Sequence, residues 1–136
     1  MADNYMDRVM AEVNAPHQFS AENQIFVTHV ERDYAEGELR VGENSLNPIG
    51  TVHGGALNTL ADVVGGSCAC SRGDQVVTLS CTMEFLRPGR GEKIFCTARP
   101  RKMGSNVCVI GVELTDTEQK PVASGTFTYY VVKKAE

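Results

Sequence analysis

The apolar positions of this chain change period several times, and each change marks a structural element. Met6, Val9, Met10 and Val13 recur every three or four residues, which predicts a short amphipathic helix closed by Pro16. From Gln24 the period becomes two. Ile25, Val27 and His29 alternate with Phe26, Thr28 and Val30, the pattern of a half-buried strand. Glu36-Gly37 reads as a turn and Glu38 to Val41 as a short returning strand. Between Val52 and Arg72 the helical period returns most strongly, with Leu57, Leu60, Ala61, Val64 and Cys68 on one stripe. After Gly73-Asp74 the alternation resumes in a long strand. It sets Val77, Leu79, Cys81, Met83 and Phe85 on one face, and Thr78, Ser80, Thr82 and Glu84 on the other. Lys93 to Arg99, Asn106 to Thr115 and Val122 to Val132 are further strands joined by short turns, so an antiparallel meander is expected.

The helix has a second face. Gly55, Asn58, Thr59, Gly66 and Ala69 all fall within about 60° of Asp62 at roughly 100° per residue. Gly54, Gly55, Gly65 and Gly66 each cost about 0.5 to 1 kcal/mol relative to alanine inside a helix. Close approach by another backbone or a ligand would explain them. A helix small on one side and apolar on the other is buried on most sides.

Two strands, a central helix and four strands make an α+β chain, read as a single domain over residues 1–136 with residues 1–16 as an N-terminal helical extension. No Gly-rich phosphate loop follows a strand and no βαβ alternation is sustained, which argues against a doubly wound nucleotide-binding fold.

Composition narrows the classes further. A length of 136 residues with 42% hydrophobic content supports one core. The formal charge of -4 argues against a nucleic-acid partner. Yet Arg87, Arg90, Lys93, Arg99, Arg101 and Lys102 crowd one stretch that holds a single acid, Glu92. That stretch reads either as a local anion site or as the solvated face of a strand pair.

The five cysteines are odd in number, match no zinc spacing and lie in apolar or β-type runs, so they read as reduced core thiols suited to a reducing cytoplasm. His17, His29 and His53 are scattered, and His29 reads as a packed or surface residue rather than a ligand; no metal is expected. The residues from Met1 to Met6 show no signal-peptide pattern, and no apolar run reaches about 18 residues, so a soluble protein with no membrane partner is expected.

Candidate chemistry gathers at the start of the central helix. His53-Gly54-Gly55 places unpaired backbone amides and the positive end of the helix dipole where they can polarise a carbonyl. Glycine at 54 and 55 leaves those amides unscreened, and the Gly55 N-H is the preferred oxyanion donor. Asp62 follows almost two turns later, about 10 Å along the axis and on the same face. A carboxylate there can attack an activated acyl group or serve as general base for water. Taken singly, an HGG tripeptide fits a tight turn, an Asp in a helix fits a solvated or capping residue, and Asn47 before proline fits a turn. A carboxylate on the glycine-lined face is harder to explain structurally.

The run Asn47-Pro48-Ile49-Gly50-Thr51-Val52-His53-Gly54-Gly55, then Leu60-Ala61-Asp62, Val77-Thr78-Leu79 and Phe85-Leu86-Arg87-Pro88-Gly89, resembles the PaaI-like acyl-CoA thioesterases of the hotdog-fold thioesterase superfamily. With the strand pattern the resemblance covers roughly residues 20–132. It implies an antiparallel sheet wrapped around a long helix, with Leu57, Leu60 and Val64 filling the concavity. It also implies dimers, often paired into tetramers, whose active sites lie between subunits. By position, Asp62 resembles the catalytic carboxylate, Gly55 the oxyanion amide, and Asn47 and His53 the residues orienting thioester or water. Thr78 falls where related enzymes place a water-positioning hydroxyl, with Ser80, read as sharing its face, as the fallback.

A thioester suits this apparatus, since its carbonyl is poorly resonance-stabilised and its thiolate leaves readily; no cofactor is expected beyond the coenzyme A of the substrate. The phosphates of coenzyme A would give the basic stretch a purpose, with Arg87, Arg90 and Lys102 as contacts and Gly54, Gly104 and Ser105 as backbone-approach positions. Two rivals remain at this point: a non-catalytic acyl-CoA-binding hotdog protein, and a hydratase or dehydratase using a His and Asp pair.

Overall fold

A computed structural model describes residues 4–136; of the expected helical extension, residues 1–3 lie outside the described part. Among the described residues the helices are α1 (Tyr5–Val13), α2 (Phe19–Glu22) and α3 (Gly54–Ala69), the last continued by a 3-10 turn over Cys70–Arg72. The six strands are β1 (Ile25–Glu31), β2 (Tyr34–Arg40), β3 (Gln75–Phe85), β4 (Lys93–Met103), β5 (Val107–Thr115) and β6 (Pro121–Lys133). They form one antiparallel sheet in the order β1-β2-β4-β5-β6-β3.

The sheet wraps α3, which packs on β4, β2 and β5 through its apolar stripe. Leu57, Leu60, Ala61, Val64 and Cys68 are all buried there, as their spacing requires. Leu39, Ile94, Ile110, Val112 and Leu114 face them from the sheet within the same core. α1 lies outside this core. Its N-cap Asn4 accepts from the Met6 amide, and Met6, Val9, Met10 and Val13 rest partly buried against the body. Asn14 then fixes the helix to β1 by hydrogen bonds in both directions with Val27, at 2.7 and 2.9 Å.

Several sequence expectations are corrected. The meander is interrupted, because β3 does not lie beside β4: it crosses to the far edge and pairs with β6. The turn between the first two strands falls at Arg32-Asp33, with Asp33 in the left-handed region (φ 64), and Glu36-Gly37 lies inside β2. Gly37 is a strand residue because the helix comes too close for a side chain there. A Cβ at this position would fall on Val64 Cγ2 and, at 2.8 Å, on the Phe26 carbonyl oxygen.

Bulges move two sets of side chains. A register shift between Val27 and His29 buries Val30 and leaves His29 exposed, reversing the simple alternation. A second shift between Thr78 and Ser80 does the same in β3. Thr78 therefore pairs with buried Tyr129 and Cys81 with buried Phe127, so these share the helix-facing side; Ser80 pairs with Thr128 on the other. Ser80 does not share the face of Thr78. The cysteines also divide: Cys68, Cys96 and Cys108 are buried, Cys70 is half-buried, and Cys81 is exposed rather than a core thiol.

Candidate active site

The helix face that carries the candidate residues is divided into two clusters. At its start, His53 is the N-cap of α3, and its Nδ1 accepts the Gly55 amide proton at 2.8 Å. The amide expected to meet a carbonyl is thus engaged by the adjacent imidazole. Gly54 lies under the Phe85 ring, 3.7 Å from where its Cβ would be. Asn47 organises the preceding loop: its Oδ1 accepts from the Ile49 and Thr51 amides, and its side-chain amide donates to Thr51 Oγ1 at 2.8 Å. The loop closes through a bridge between Leu46 and Val52, and the Val52 amide reaches the Gly89 carbonyl. Asn47 therefore acts first as the brace that presents His53 and Gly55.

The second cluster lies two turns along. Thr78 Oγ1 donates to Asp62 Oδ1 at 2.7 Å from strand β3. The Tyr129 phenol, from β6, donates to the Asp62 main-chain carbonyl at 2.8 Å and lies 3.2 Å from the same Oδ1. Among the described residues Oδ2 of Asp62 has no hydrogen-bond partner. One carboxylate oxygen is held and the other keeps its acceptor positions open.

Tyr129 was not among the residues singled out from the sequence. Burial, then the nearby Asp62 charge, raises its pKa well above the ordinary tyrosine range, so the phenol remains a proton donor throughout the physiological range. It also explains one of the helical glycines. A Cβ on Gly65 would lie 2.5 Å from the Tyr129 hydroxyl, so an aromatic side chain rather than a ligand fills that approach, whereas at Gly66 a Cβ would make ordinary contact with the ring at 3.5 Å. The signal in the sequence was a Gly-Gly pair within a turn of Asp62 together with a tyrosine in a strand.

Asp62, Thr78 and Tyr129 together line a cavity of about 700 Å³. Val9, Glu12 and Val13 of α1 and Val63, Gly66 and Ser67 of α3 also line it. Asn47, His53 and Gly55 do not line it. Within one chain the two clusters are separate.

The basic stretch is scattered too. Lys93 bonds Glu38 at 3.2 Å, Arg99 stacks over Tyr34, and Arg101 lies against Gly111. Arg87 and Arg90 are exposed on the loop that receives the Val52 amide, near the start of α3. Lys102 and the Gly104-Ser105 turn sit at the opposite end of β4, roughly 30 Å away at about 3.3 Å per residue. Among the described residues they form no single anion site within one chain. Among the described residues no group of three His, Cys, Asp or Glu side chains could hold a metal ion, and no helix is long and apolar enough to cross a membrane.

A long helix wrapped by a six-stranded antiparallel sheet is the hotdog fold, and here it carries a braced carboxylate on its outer face. Residues 49–123 match the thioesterase superfamily family model, a span that includes both clusters except Asn47 and Tyr129, and the chain belongs to that superfamily. It is 33% identical over 100 residues to acyl-coenzyme A thioesterase PaaI of Escherichia coli, covering 73% of this chain and 71% of the relative. The solved structure of the E. coli PaaI protein from the phenylacetic acid degradation operon superposes with a TM-score of 0.86 at 25% identity, covering 96% of each chain. A thioesterase-like protein of Streptococcus pneumoniae solved with coenzyme A superposes with a TM-score of 0.77 at 27% identity, covering 82% of this chain and 88% of that one.

Proposed function

We propose that this protein hydrolyses an acyl-CoA thioester to free acid and coenzyme A, with Asp62 as nucleophile or general base. The observation that carries this reading is the carboxylate itself: Oδ1 is held by Thr78, while Oδ2 has no partner among the described residues, and the residue lines a cavity large enough for an acyl group. Membership of the thioesterase superfamily and similarity to a named acyl-CoA thioesterase support it, as does the coenzyme A bound by one structural neighbour.

The Gly55 amide polarises the thioester oxygen once the His53 ring turns aside, and the turned ring orients the substrate. Gly55 and Asp62 are separated by about 10 Å along one helix, too far for both to meet one carbonyl group. A second copy resolves this separation. With two helices antiparallel, Gly55 of one subunit faces Asp62 of the partner subunit, so each site is shared.

The edge strand supports such pairing. β3 is open on one side, and its Val77 and Leu79 are 51% and 56% exposed, where a lone edge strand would normally carry charge. The protein is thus a homodimer or a dimer of dimers. The acyl group enters the cavity. Arg87 and Arg90 meet the coenzyme A phosphates near the helix start; Lys102, Gly104 and Ser105 can join them only from another subunit.

Thiol release measured over phenylacetyl, hydroxybenzoyl and graded fatty acyl-CoA esters tests the reading. Hydrolysis of at least one ester, cut about 10²-fold or more by Asp62→Asn in a folded variant, is expected. Calorimetric binding of the esters without product would replace it with the binding-protein reading, and hydration of an enoyl-CoA without thiol release with the hydratase reading.

A further inference from the structure

Tyr129 joins the site from a strand 67 residues away in sequence, and three observations locate its effect on Asp62. Its side chain is 1% exposed, so the ring is held in place by packing and the hydroxyl touches the cavity only at its wall. Its hydroxyl spans the main chain and side chain of one residue, at 2.8 Å from the Asp62 carbonyl oxygen and 3.2 Å from Oδ1. Gly65, a residue type that weakens a helix, stands inside α3 where a Cβ would fall 2.5 Å from the phenol oxygen.

We propose that Tyr129 is a positioning residue, which with Thr78 clamps Asp62 in one rotamer so that Oδ2 alone is presented to the thioester or the water. The inference rests on the proposed function, in that Asp62 must be the reacting carboxylate. Thr78 comes from an exposed edge strand, whereas Tyr129 comes from an interior strand flanked by β5 and β3. The phenol is the rigid half of the clamp. A carboxylate freed to sample other rotamers would spend less time in the productive geometry, which lowers the rate of the chemical step rather than substrate affinity.

A kinetic cycle of Tyr129→Phe and Asp62→Asn, read by thiol release, tests this. Tyr129→Phe keeps the ring and is expected to lower kcat about tenfold with KM unchanged within about twofold. In the Asp62→Asn background the same change is expected to cost less than about twofold, since there is no longer a carboxylate to position. Gly65→Ala, which pushes the phenol away without removing it, is expected to reproduce the fall in kcat and keeps the test open should Tyr129→Phe not fold. Full kcat in folded Tyr129→Phe, or an equal loss in both backgrounds, would overturn the positioning role. Wild-type turnover in Asp62→Asn would instead overturn the functional reading on which it rests.

Discussion

His53 accepts the Gly55 amide proton through Nδ1 at 2.8 Å, so the residue that caps the central helix also covers its candidate oxyanion donor. An N-cap made by a ring can be withdrawn by a simple side-chain rotation, leaving the backbone in place. Removing the ring separates the two roles. His53→Ala is expected to cost about 1 kcal/mol of stability through loss of the cap, while turnover falls less than about tenfold because the amide itself meets the carbonyl. Thermal melts paired with thiol-release kinetics check this. Activity as low as that of Asp62→Asn would make the imidazole itself a reacting group.

Thr78 and Ser80 are two residues apart in an alternating stretch, yet only Thr78 reaches Asp62. Thr78→Val, which keeps the shape and removes the hydroxyl, is expected to lower kcat about tenfold, the effect of losing a hydrogen bond to a charged group. Ser80→Ala should stay within about twofold of the parent. A larger loss at Ser80 would place the bulge elsewhere.

The proposed sharing of each site across the open edge of β3 would make activity depend on assembly. Leu79→Lys places a charge on that edge and is expected to shift the protein to a monomer in analytical ultracentrifugation, with loss of thiol release. A fully active monomer would show that each chain carries a complete site.

Asp33 in the β1–β2 turn accepts two 2.7 Å hydrogen bonds from Arg72 beyond the end of α3. The hydrogen bond from Arg72, reinforced by its charge, holds the Asp33 carboxyl below its ordinary pKa despite partial burial. Its contribution is therefore complete above the unfolded-state pKa of about 3.9 and is lost as pH falls through the lower folded value. Asp33→Asn is expected to lower the melting temperature at neutral pH by a few degrees, consistent with no more than about 1 kcal/mol for a partly exposed pair. Parent and variant should converge in acid. Melts across that range decide it, and a gap independent of pH would assign the effect to the turn rather than to the charge.

Much of the site was legible in the chain because its signals are local. The stripe of Leu57, Leu60, Val64 and Cys68 fixed the inward face of α3, and the seven-residue spacing set Gly55 and Asp62 on the other. The Asn47 loop was recognisable as a motif, although its role as a brace emerged only from its hydrogen bonds with Ile49 and Thr51.

The sequence by itself determined the central helix, the run of strands around it and the residue types able to act on a thioester, since periodicity and capping depend on near neighbours. Tertiary structure decided the rest. A bulge carries no compositional mark, so the faces of Val30, Thr78 and Ser80 were set by pairing with neighbouring strands. The far-edge placement of β3 followed from how the whole sheet closes around α3. Tyr129 reached Asp62 only because that closure brings β6 against the helix, where Gly65 leaves room for its phenol.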